Sequence, residues 1–316
     1  MSFLALAYPQ SALHPAGPVA REQLSLIIFS FAIMTLVFVV VMGLLLYVLV
    51  RFRRRNHEGD PPQVEGNNLL ELIWTGIPVI LIIILAIPTL RTTFALAKVP
   101  DDRPVVKVDV VAHQFWWEFR YPELGITTAN ELVVPVGYVI DFHVTSQDVV
   151  HSFWVPRLGG KLDAIPGRNN HFWLQADEPG WYPGQCAQLC GESHSLMAFA
   201  VDVRTPEEFD AWVKKMKEPF QPPTSALEKE GMDVFAQSCQ SCHAIAGTDF
   251  KGTIGPDLTK VGLRRTLGAL TLRNTPEDMK AWIHDPASFK PGVLMPQIPL
   301  TDQQLNAVVA FLQSQK

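Results

Sequence analysis

Two long apolar runs near the N-terminus constrain this chain more than any other feature of its sequence. Residues 24–50 are almost wholly apolar, with no charge between Glu22 and Arg51. Residues 69–90 form a second apolar run whose only charge is Glu71. Each run exceeds the roughly 20 residues that a helix needs to cross a bilayer, and a buried core helix rarely stays apolar on every face. The sequence therefore predicts two membrane-spanning helices.

The connection between the two runs indicates their orientation. It carries four arginines: Arg51, Arg53, Arg54 and Arg55. Because basic connections stay in the cytoplasm, both termini and everything after Arg91 are expected outside it. Residues 1–20 are expected to be a short external tail, since no basic residue precedes their short apolar patch. Glu71 has two interpretations: a carboxylate that reaches the membrane interface, or an acid on a proton path.

Composition excludes one class of partner and limits the use of the cysteines. The net charge of −5 and the lack of a basic stripe argue against nucleic-acid binding. The four cysteines form two close pairs, Cys186 with Cys190 and Cys239 with Cys242. Such spacings suit metal binding or haem attachment better than a disulfide framework.

The middle of the chain reads as a β domain. Short β-branched and aromatic runs are separated by Gly, Pro and Asn, and no long helical period interrupts them. An antiparallel sandwich or a Greek-key barrel is the natural prediction. The predicted strands cover residues 105–111, 115–121, 131–135, 139–146, 170–175 and 198–203.

One loop of this domain concentrates metal-binding side chains. Cys186, Cys190, His194 and Met197 lie within a dozen residues, and His151 offers a second imidazole upstream. Sulfur and imidazole ligands select copper, zinc or iron, and a weak Met beside Cys and His is typical of electron-transfer copper. Two cysteines allow two coppers bridged by both sulfurs, each with one terminal His. A Cys₂His₂ zinc site is the alternative, although zinc has little use for the thioether.

The C-terminal part carries a haem attachment sequence. Residues 205–217 are expected to form a capped helix, followed by a Pro-rich linker. Cys239-Gln-Ser-Cys242-His243 then matches the c-type haem motif, with His243 placed to bind iron. Met295 is the best second axial ligand, because Pro291 and Pro296 keep its segment off any helix. His/Met ligation raises a haem potential. Met279 is expected to pack inside a helix, and Met232 is too close to the attachment helix to reach over the haem ring. Neither is therefore the expected second ligand.

These motifs resemble cytochrome c oxidase subunit II over residues 21–204. The metal loop resembles its CuA loop, and residues 70–78, 111–117 and 160–168 resemble its second transmembrane helix, aromatic strand and subunit I-facing segment. The resemblance implies that Gln188 binds copper through its backbone carbonyl. It implies that Glu71 lies at the mouth of a proton channel and that the segment with Asp163 and Arg168 contacts the haem-bearing subunit. A surface turn closed by an ion pair of these two residues is the alternative. The implied copper-binding side chains are His151, Cys186, Cys190, His194 and Met197.

Two positions depart from this family. Gln188 stands where a Glu commonly helps to hold magnesium, so the resemblance leaves a magnesium ion undecided. The usual electron-entry tryptophan falls at Phe115, followed by Trp116 and Trp117. The entry ring has moved to Trp116, or a tethered donor has relaxed the need for it, or all three rings are core.

Residues 227–316 resemble a class I cytochrome c. The expected architecture is a transmembrane α-hairpin, an all-β cupredoxin-like sandwich with Greek-key connections, and an all-α cytochrome c domain. Its expected divisions are a tail (1–20), an anchor (21–92), a CuA domain (100–204), a helix with linker (205–226) and a cytochrome c domain (227–316).

Such a fusion resembles the caa-type haem–copper oxidases. The resemblance implies an electron-input subunit in a bacterial cytoplasmic membrane, with both cofactor domains on the periplasmic side. Electrons would pass from a cytochrome c, another small redox protein or an upstream complex to haem c, then to CuA and to the haem of subunit I. There oxygen is reduced and protons are pumped, with further membrane subunits as partners. This chain itself needs no catalytic residue. The alternatives are the input subunit of a nitric-oxide-reducing complex and, from another class, a membrane-bound copper chaperone or sensor.

Overall fold

The computed structural model describes residues 10–53 and 65–316. Two compact units divide the chain: residues 21–98 form one, and the other comprises the rest of the described chain. Arg54 and Arg55, which belong to the predicted basic connection, lie outside the described residues, as do residues 1–9 of the predicted tail.

The first unit holds two long apolar helices, α1 (Pro18–Arg51) from Arg21 onward and α2 (Asn68–Ala97). Both are long enough to cross a membrane, and the most apolar 18-residue window of each has no buried residue. The amide side chain of Asn67 caps α2 by accepting from the backbone N–H of Leu69 and Leu70. Glu71 lies in the first turn of α2. These helices agree with the predicted pair of spans.

Residues 10–20 belong to the second unit. Ala16, Val19 and Ala20 are buried, and the backbone N–H of Ala16 donates to the carbonyl of Arg157 at 2.7 Å. A Cβ on Gly17 would lie 1.9 Å from the carbonyl oxygen of Gln175, so this approach requires glycine. This part of the predicted tail is therefore packed against the β domain.

The β domain is a sandwich of ten strands. They are β1 (Val105–His113), β2 (Trp116–Tyr121), β3 (Ile126–Ala129), β4 (Glu131–Pro135), β5 (Val139–Ser146), β6 (His151–Trp154), β7 (Leu162–Ala164), β8 (Asn170–Leu174), β9 (Gly180–Cys186) and β10 (Ala198–Arg204). They form two five-stranded sheets, ordered β3-β2-β1-β5-β8 and β4-β10-β9-β6-β7. Rings from both sheets meet in the core: Phe153 stacks on Phe199 with centroids 4.4 Å apart, and the Trp117 ring lies 5.3 Å from Phe199.

All six predicted strands are present, but the wholly antiparallel form of the prediction is wrong. β1 pairs with β5 in parallel, and β4 pairs with β10 in parallel. Four strands were not predicted: β3, β6, β7 and β9. The sequence of β9, Gly-Trp-Tyr-Pro-Gly-Gln-Cys, is rich in residues that strands avoid. His151 is the first residue of β6.

The C-terminal domain is helical, as predicted. Capping boxes at Ser225 and Thr301 begin two of its helices, and a third at Thr205 begins the preceding helix, which packs on the β domain through Trp212 and Tyr121. A Cβ on Gly231 would lie 2.0 Å from the carbonyl oxygen of Ala307, so glycine permits the close crossing of the helices that begin at Ala226 and Asp302. The elements are α3 (Pro206–Met216), α4 (Ala226–Ser238), β11 (Thr266–Leu267), β12 (Leu272–Arg273), α5 (Pro276–His284), α6 (Pro286–Phe289) and α7 (Asp302–Ser314).

Candidate copper and haem sites

The second sheet brings His151 to the cysteine loop. β6, which begins with His151, pairs antiparallel with β9, which ends with Cys186. A turn then returns Cys190, and the short 3₁₀ helix His194–Leu196 precedes Met197. Two neighbouring strands and one loop thus assemble side chains that are 46 positions apart at their furthest in the sequence.

The sulfur and nitrogen atoms of this set lie close together. The two cysteine sulfurs are 3.9 Å apart and form no disulfide. His151 Nδ1 lies 3.8 Å from the Cys186 sulfur, and His194 Nδ1 lies 3.5 Å from the Cys190 sulfur. The Met197 sulfur is 3.8 Å from that of Cys190. The carbonyl oxygen of Gln188 is 3.1 Å from the Cys186 sulfur, while the Gln188 side chain is exposed.

This donor set fits two metal ions better than one. A structural zinc takes four ligands in a tetrahedron, whereas the site offers two thiols, two imidazoles, a thioether and a carbonyl. The imidazoles also flank different sulfurs, one beside Cys186 and one beside Cys190. Two soft-metal ions that share both sulfurs would use every donor.

Neighbouring groups orient the metal-facing atoms. Asp148 Oδ1 lies 2.7 Å from His151 Nε2 and accepts a hydrogen bond from it. Nδ1 of the same ring is then free to face the sulfurs. Asp148 also accepts from the backbone N–H of Gln114 at 2.6 Å. The Gln114 side chain in turn donates to the carbonyl of Cys190 at 2.5 Å. Gln114 therefore contacts both halves of the site through short hydrogen bonds.

The electrostatics of the site favour a thiolate. The hydrogen bond from the Cys190 thiol, aided by His151 and nearby backbone, lowers the pKa of Cys186 to about 4. The same bond and burial raise the pKa of Cys190 in the metal-free pair. Burial lowers the pKa of the His151 ring, but its contacts with Asp148 and Cys186 outweigh burial, so that the pKa is raised.

A second site is an apolar cavity in the helical domain. Cys239, Cys242 and His243 line it together with Met295, and apolar walls come from residues such as Phe235, Leu258 and Ile283. His243 Nδ1 donates to the carbonyl of Pro256 at 2.8 Å, which leaves Nε2 as its free nitrogen. A Cβ on Gly255 would lie 2.5 Å from the His243 ring, so glycine lets this carbonyl segment pack on the ring. Two thiols, an imidazole and a thioether around an apolar cavity fit a haem.

The three candidate methionines of the cytochrome domain lie in different surroundings. Met295 lines the cavity from an irregular segment between Pro291 and Pro296. Met279 also reaches the cavity, but it is 2% exposed within α5 and packs in the domain core. Met232 lies in α4 and packs at the edge of the core.

The β domain supplies one wall of the same cavity. Gln114 and Phe115, between β1 and β2, and Trp116, the first residue of β2, line it together with the haem-motif residues. Trp116 stacks on His113 with centroids 4.1 Å apart. Trp117 is instead fully buried in the sandwich, 6.1 Å from the His151 ring. Of the three candidate entry rings, Phe115 and Trp116 therefore face the cavity, and Trp117 lies beside His151.

Buried polar contacts hold the two domains together. The Glu131 carboxylate accepts from the backbone N–H of Arg265 at 3.0 Å and of Thr266 at 2.8 Å, and from the Thr266 hydroxyl at 2.6 Å. Lys290 donates to the carbonyl of Phe115 at 2.6 Å. The Ser193 hydroxyl donates to the carbonyl of Pro291 at 2.6 Å, linking the metal loop to the Met295 segment.

Apolar and cation–π contacts extend this interface. Leu270 is fully buried against Trp181 and Ala200, and the Arg265 guanidinium lies 4.9 Å from the Trp181 ring centre. Leu270 adopts φ +64°, a left-handed conformation that costs free energy in a non-glycine residue. That cost is offset by the burial of its side chain in the other domain.

The remaining predicted residues are not brought to these sites. Glu71 belongs to the first unit. Asp163 lies in β7 and Arg168 in the following turn, and these two described residues form no ion pair with each other. Sequence reasoning missed Asp148, Gln114, Glu131 and Lys290. Only Asp148 had a signal, its position three residues before His151.

Family comparisons match three segments of the chain. Residues 8–92 match the transmembrane domain of cytochrome c oxidase subunit II, and residues 124–204 match its periplasmic domain. Residues 228–316 match cytochrome c. The anchor expected over residues 21–92, the metal loop Cys186–Met197 and the haem motif Cys239–His243 each fall within one of these segments.

Similar proteins cover almost the whole chain. Cytochrome c oxidase subunit 2 of Alkalihalophilus pseudofirmus is 43% identical over 97% of this chain and 91% of its own length. That of Bacillus sp. strain PS3 is 44% identical over the same shares. A quinol oxidase subunit 2 from Bacillus cereus is 40% identical over 70% of this chain. Among solved structures, the periplasmic domain of subunit II of Bradyrhizobium japonicum cytochrome oxidase is 36% identical, with a TM-score of 0.35, over 37% of this chain and 95% of that chain.

Proposed function

Since the chain belongs to the cytochrome c oxidase subunit II family, we propose that it delivers electrons through a covalently bound haem c and a binuclear copper centre. The chain is an electron-input subunit of a haem–copper oxidase, an oxidoreductase complex in which its family associates with subunit I. The cytochrome c domain implies haem, and the subunit II domain implies copper. The nitric-oxide-reducing and copper-chaperone alternatives are not favoured, because the similar proteins are oxidase subunits.

In the proposed copper centre, Cys186 and Cys190 would supply the thiolates that hold two coppers. His151 and His194 would supply the imidazoles, and Met197 and the Gln188 carbonyl would be the weaker donors. The observation that carries the proposal is the donor set, with six donors and one imidazole beside each sulfur. Asp148 orients His151, and the burial of Cys186, Cys190 and Met197 keeps water out. Gln188 is neutral and exposed, so magnesium is not part of the proposal.

In the proposed haem site, Cys239 and Cys242 form the covalent attachments. His243 and Met295 would bind the haem iron, and the Pro256 carbonyl orients the His243 ring for this. When bound, both cofactors supply reversible one-electron oxidation and reduction. The residues around them hold their positions and exclude water.

The shared cavity wall supports a direct route between the two sites. Gln114, Phe115 and Trp116 line the haem cavity, and Gln114 bonds to a copper-loop carbonyl and to the partner of His151. The tethered haem is therefore the proposed immediate donor to copper, and Phe115 replaces the usual entry tryptophan. The external donor is a cytochrome c, another small redox protein or an upstream complex.

The membrane arrangement completes the proposal. The basic connection keeps the loop between the spans in the cytoplasm, so that both cofactor domains lie on the outer face of a bacterial cytoplasmic membrane. Glu71, near the cytoplasmic end of its span, is the proposed entry to a proton channel.

Reductive titration of the purified complex tests the cofactor assignment. The expected result is two coppers and one c-type haem per chain, with an EPR signal from one electron shared between two copper nuclei. A colourless chain that contains zinc, or a single isolated copper, contradicts the proposal.

Met295→Ala is expected to change the haem's axial ligation and lower its potential, because a thioether ligand raises that potential. Optical redox titration measures the shift. The copper EPR signal should stay intact, since Met295 is not among the copper-loop donors. Met232→Ala, which alters a methionine outside the cavity lining, is the matched control. Equal haem potentials in the wild type and Met295→Ala would show that Met295 does not bind the haem iron.

Lys290 is expected to make stability depend on pH. Burial lowers the pKa of its amine to about 7, well below its usual 10.5. Between these values the unfolded chain binds more protons than the folded one, so the free energy of unfolding rises with pH. The slope is at most about 1.4 kcal/mol per pH unit. Denaturant unfolding from pH 7 to 9 measures it, and Lys290→Met should reduce the slope. If the free energy of unfolding rose equally with pH in the wild type and in Lys290→Met, the lowered pKa of the buried Lys290 amine would be contradicted.

A further inference from the structure

A second cluster of metal-binding side chains lies on the first sheet, while the proposed copper site lies on the second. Asp141 and His143 alternate along β5, so they share one face. His143 is directly opposite His171 on the neighbouring strand β8. One ligand atom from each of the three residues lies within 4.8 Å of the others.

The carboxylate sits between the two rings. His171 Nε2 contacts Asp141 Oδ1, and His143 Nε2 lies 3.7 Å from Asp141 Oδ2. The ring centres are 5.1 Å apart. A tetrahedral zinc with bonds of 2.0–2.1 Å has ligand atoms about 3.4 Å apart. Small side-chain rotations therefore suffice for all three to reach one ion, which would replace the proton between His171 and Asp141.

The cluster is open to water. The His143 and His171 side chains are 35% and 38% exposed, while Asp141 is 12% exposed. An ion could enter and leave without unfolding the sheet, and water would complete its coordination. The charges beside the cluster are mixed: Asp109 is opposite His143 on β1, and Lys107 is opposite Asp141 and paired with Glu123 at 2.9 Å. The three ligand atoms themselves, and not the surrounding charge, are what attract a cation.

We propose that Asp141, His143 and His171 form an exchangeable binding site for one divalent transition-metal ion. Two imidazoles with one carboxylate suit zinc, copper or nickel, whereas magnesium and calcium prefer sites made of oxygen. Because β8 is the edge strand of its sheet, the ion would tie this edge to β5. The bound state would therefore be more stable than the free state.

Zinc titration of the tag-free, copper-loaded complex tests the site, with isothermal calorimetry as the readout and excess magnesium present. We expect one zinc per chain bound in this step, and at least about a tenfold loss of affinity in His143→Gln and in His171→Gln. His284→Gln, which alters an exposed histidine of the cytochrome domain, should bind as the wild type does. Copper absorbance and circular dichroism verify that each variant is folded and loaded.

Amide exchange gives a second readout. Zinc should slow the exchange of β8 amides in the wild type and not in the two histidine variants. Zinc binding that is unchanged in both variants, or no saturable zinc binding in the wild type, overturns the proposal. In either outcome the three residues are only a surface hydrogen-bond network.

Discussion

Cys190→Ser is expected to abolish the binuclear copper signal and, with it, electron delivery to the oxidase. The Cys190 sulfur lies 3.9 Å from that of Cys186, 3.5 Å from His194 Nδ1 and 3.8 Å from the Met197 sulfur. Its loss removes a shared donor from both proposed coppers, and a hydroxyl is a poor ligand for soft copper. Copper affinity should fall by at least about 100-fold. Metal analysis and EPR of the purified complex measure the loss.

Gln188→Ala is the matched control for this substitution. Gln188 lies in the same loop, but only its backbone carbonyl faces the site and its side chain is exposed. The variant should keep both coppers. A Cys190→Ser protein that retained the shared-electron signal would contradict a centre bridged by two sulfurs.

Glu131→Ala is expected to loosen the cytochrome domain from the β domain. The carboxylate is the acceptor for two backbone N–H groups and one hydroxyl of the Arg265–Thr266 segment. Each donor left buried without a partner costs about 1–3 kcal/mol. A total near 3 kcal/mol corresponds to a roughly 100-fold shift towards the separated state. The amides of Arg265 and Thr266 should lose protection against hydrogen exchange accordingly.

The same substitution should slow electron transfer from haem to copper, because the cavity wall at Phe115 and Trp116 no longer stays on the haem side. Glu123→Ala, which alters an exposed acid on the same β domain paired with Lys107, is the control. Unchanged amide protection in Glu131→Ala would show that this buried carboxylate does not hold the interface.

Signals within short stretches of sequence predicted the features that depend only on neighbouring residues: the membrane spans, a helix start and the cysteine spacing. Apolar length predicted both spans, the capping box at Thr205 predicted a helix start, and motif spacing placed Cys186 and Cys190 in one loop. The strand β9 escaped prediction, because its glycines and proline are outweighed only by pairing with β6 and β10.

The docking of the two soluble domains could not be predicted in this way. Glu131 reads as an ordinary strand residue and Lys290 as a surface lysine, since their burial arises only when the domains meet. The Pro-rich linker does not indicate by itself where the cytochrome domain lies. In the structure this domain is docked, and Phe220 of the linker packs on the cytochrome core. Sequence alone also left three positions open for electron entry, and only the fold separates Phe115 and Trp116 from the buried Trp117.

In the proposed route, electrons reach copper through the haem of the same chain. Rapid anaerobic reduction of the oxidised complex, followed optically at haem and copper, tests this route. We expect haem to be reduced first and copper to be reduced as haem is reoxidised. In the Cys239→Ala, Cys242→Ala double variant, copper should be reduced far more slowly. Copper reduction at an unchanged rate in that haem-free variant would contradict it.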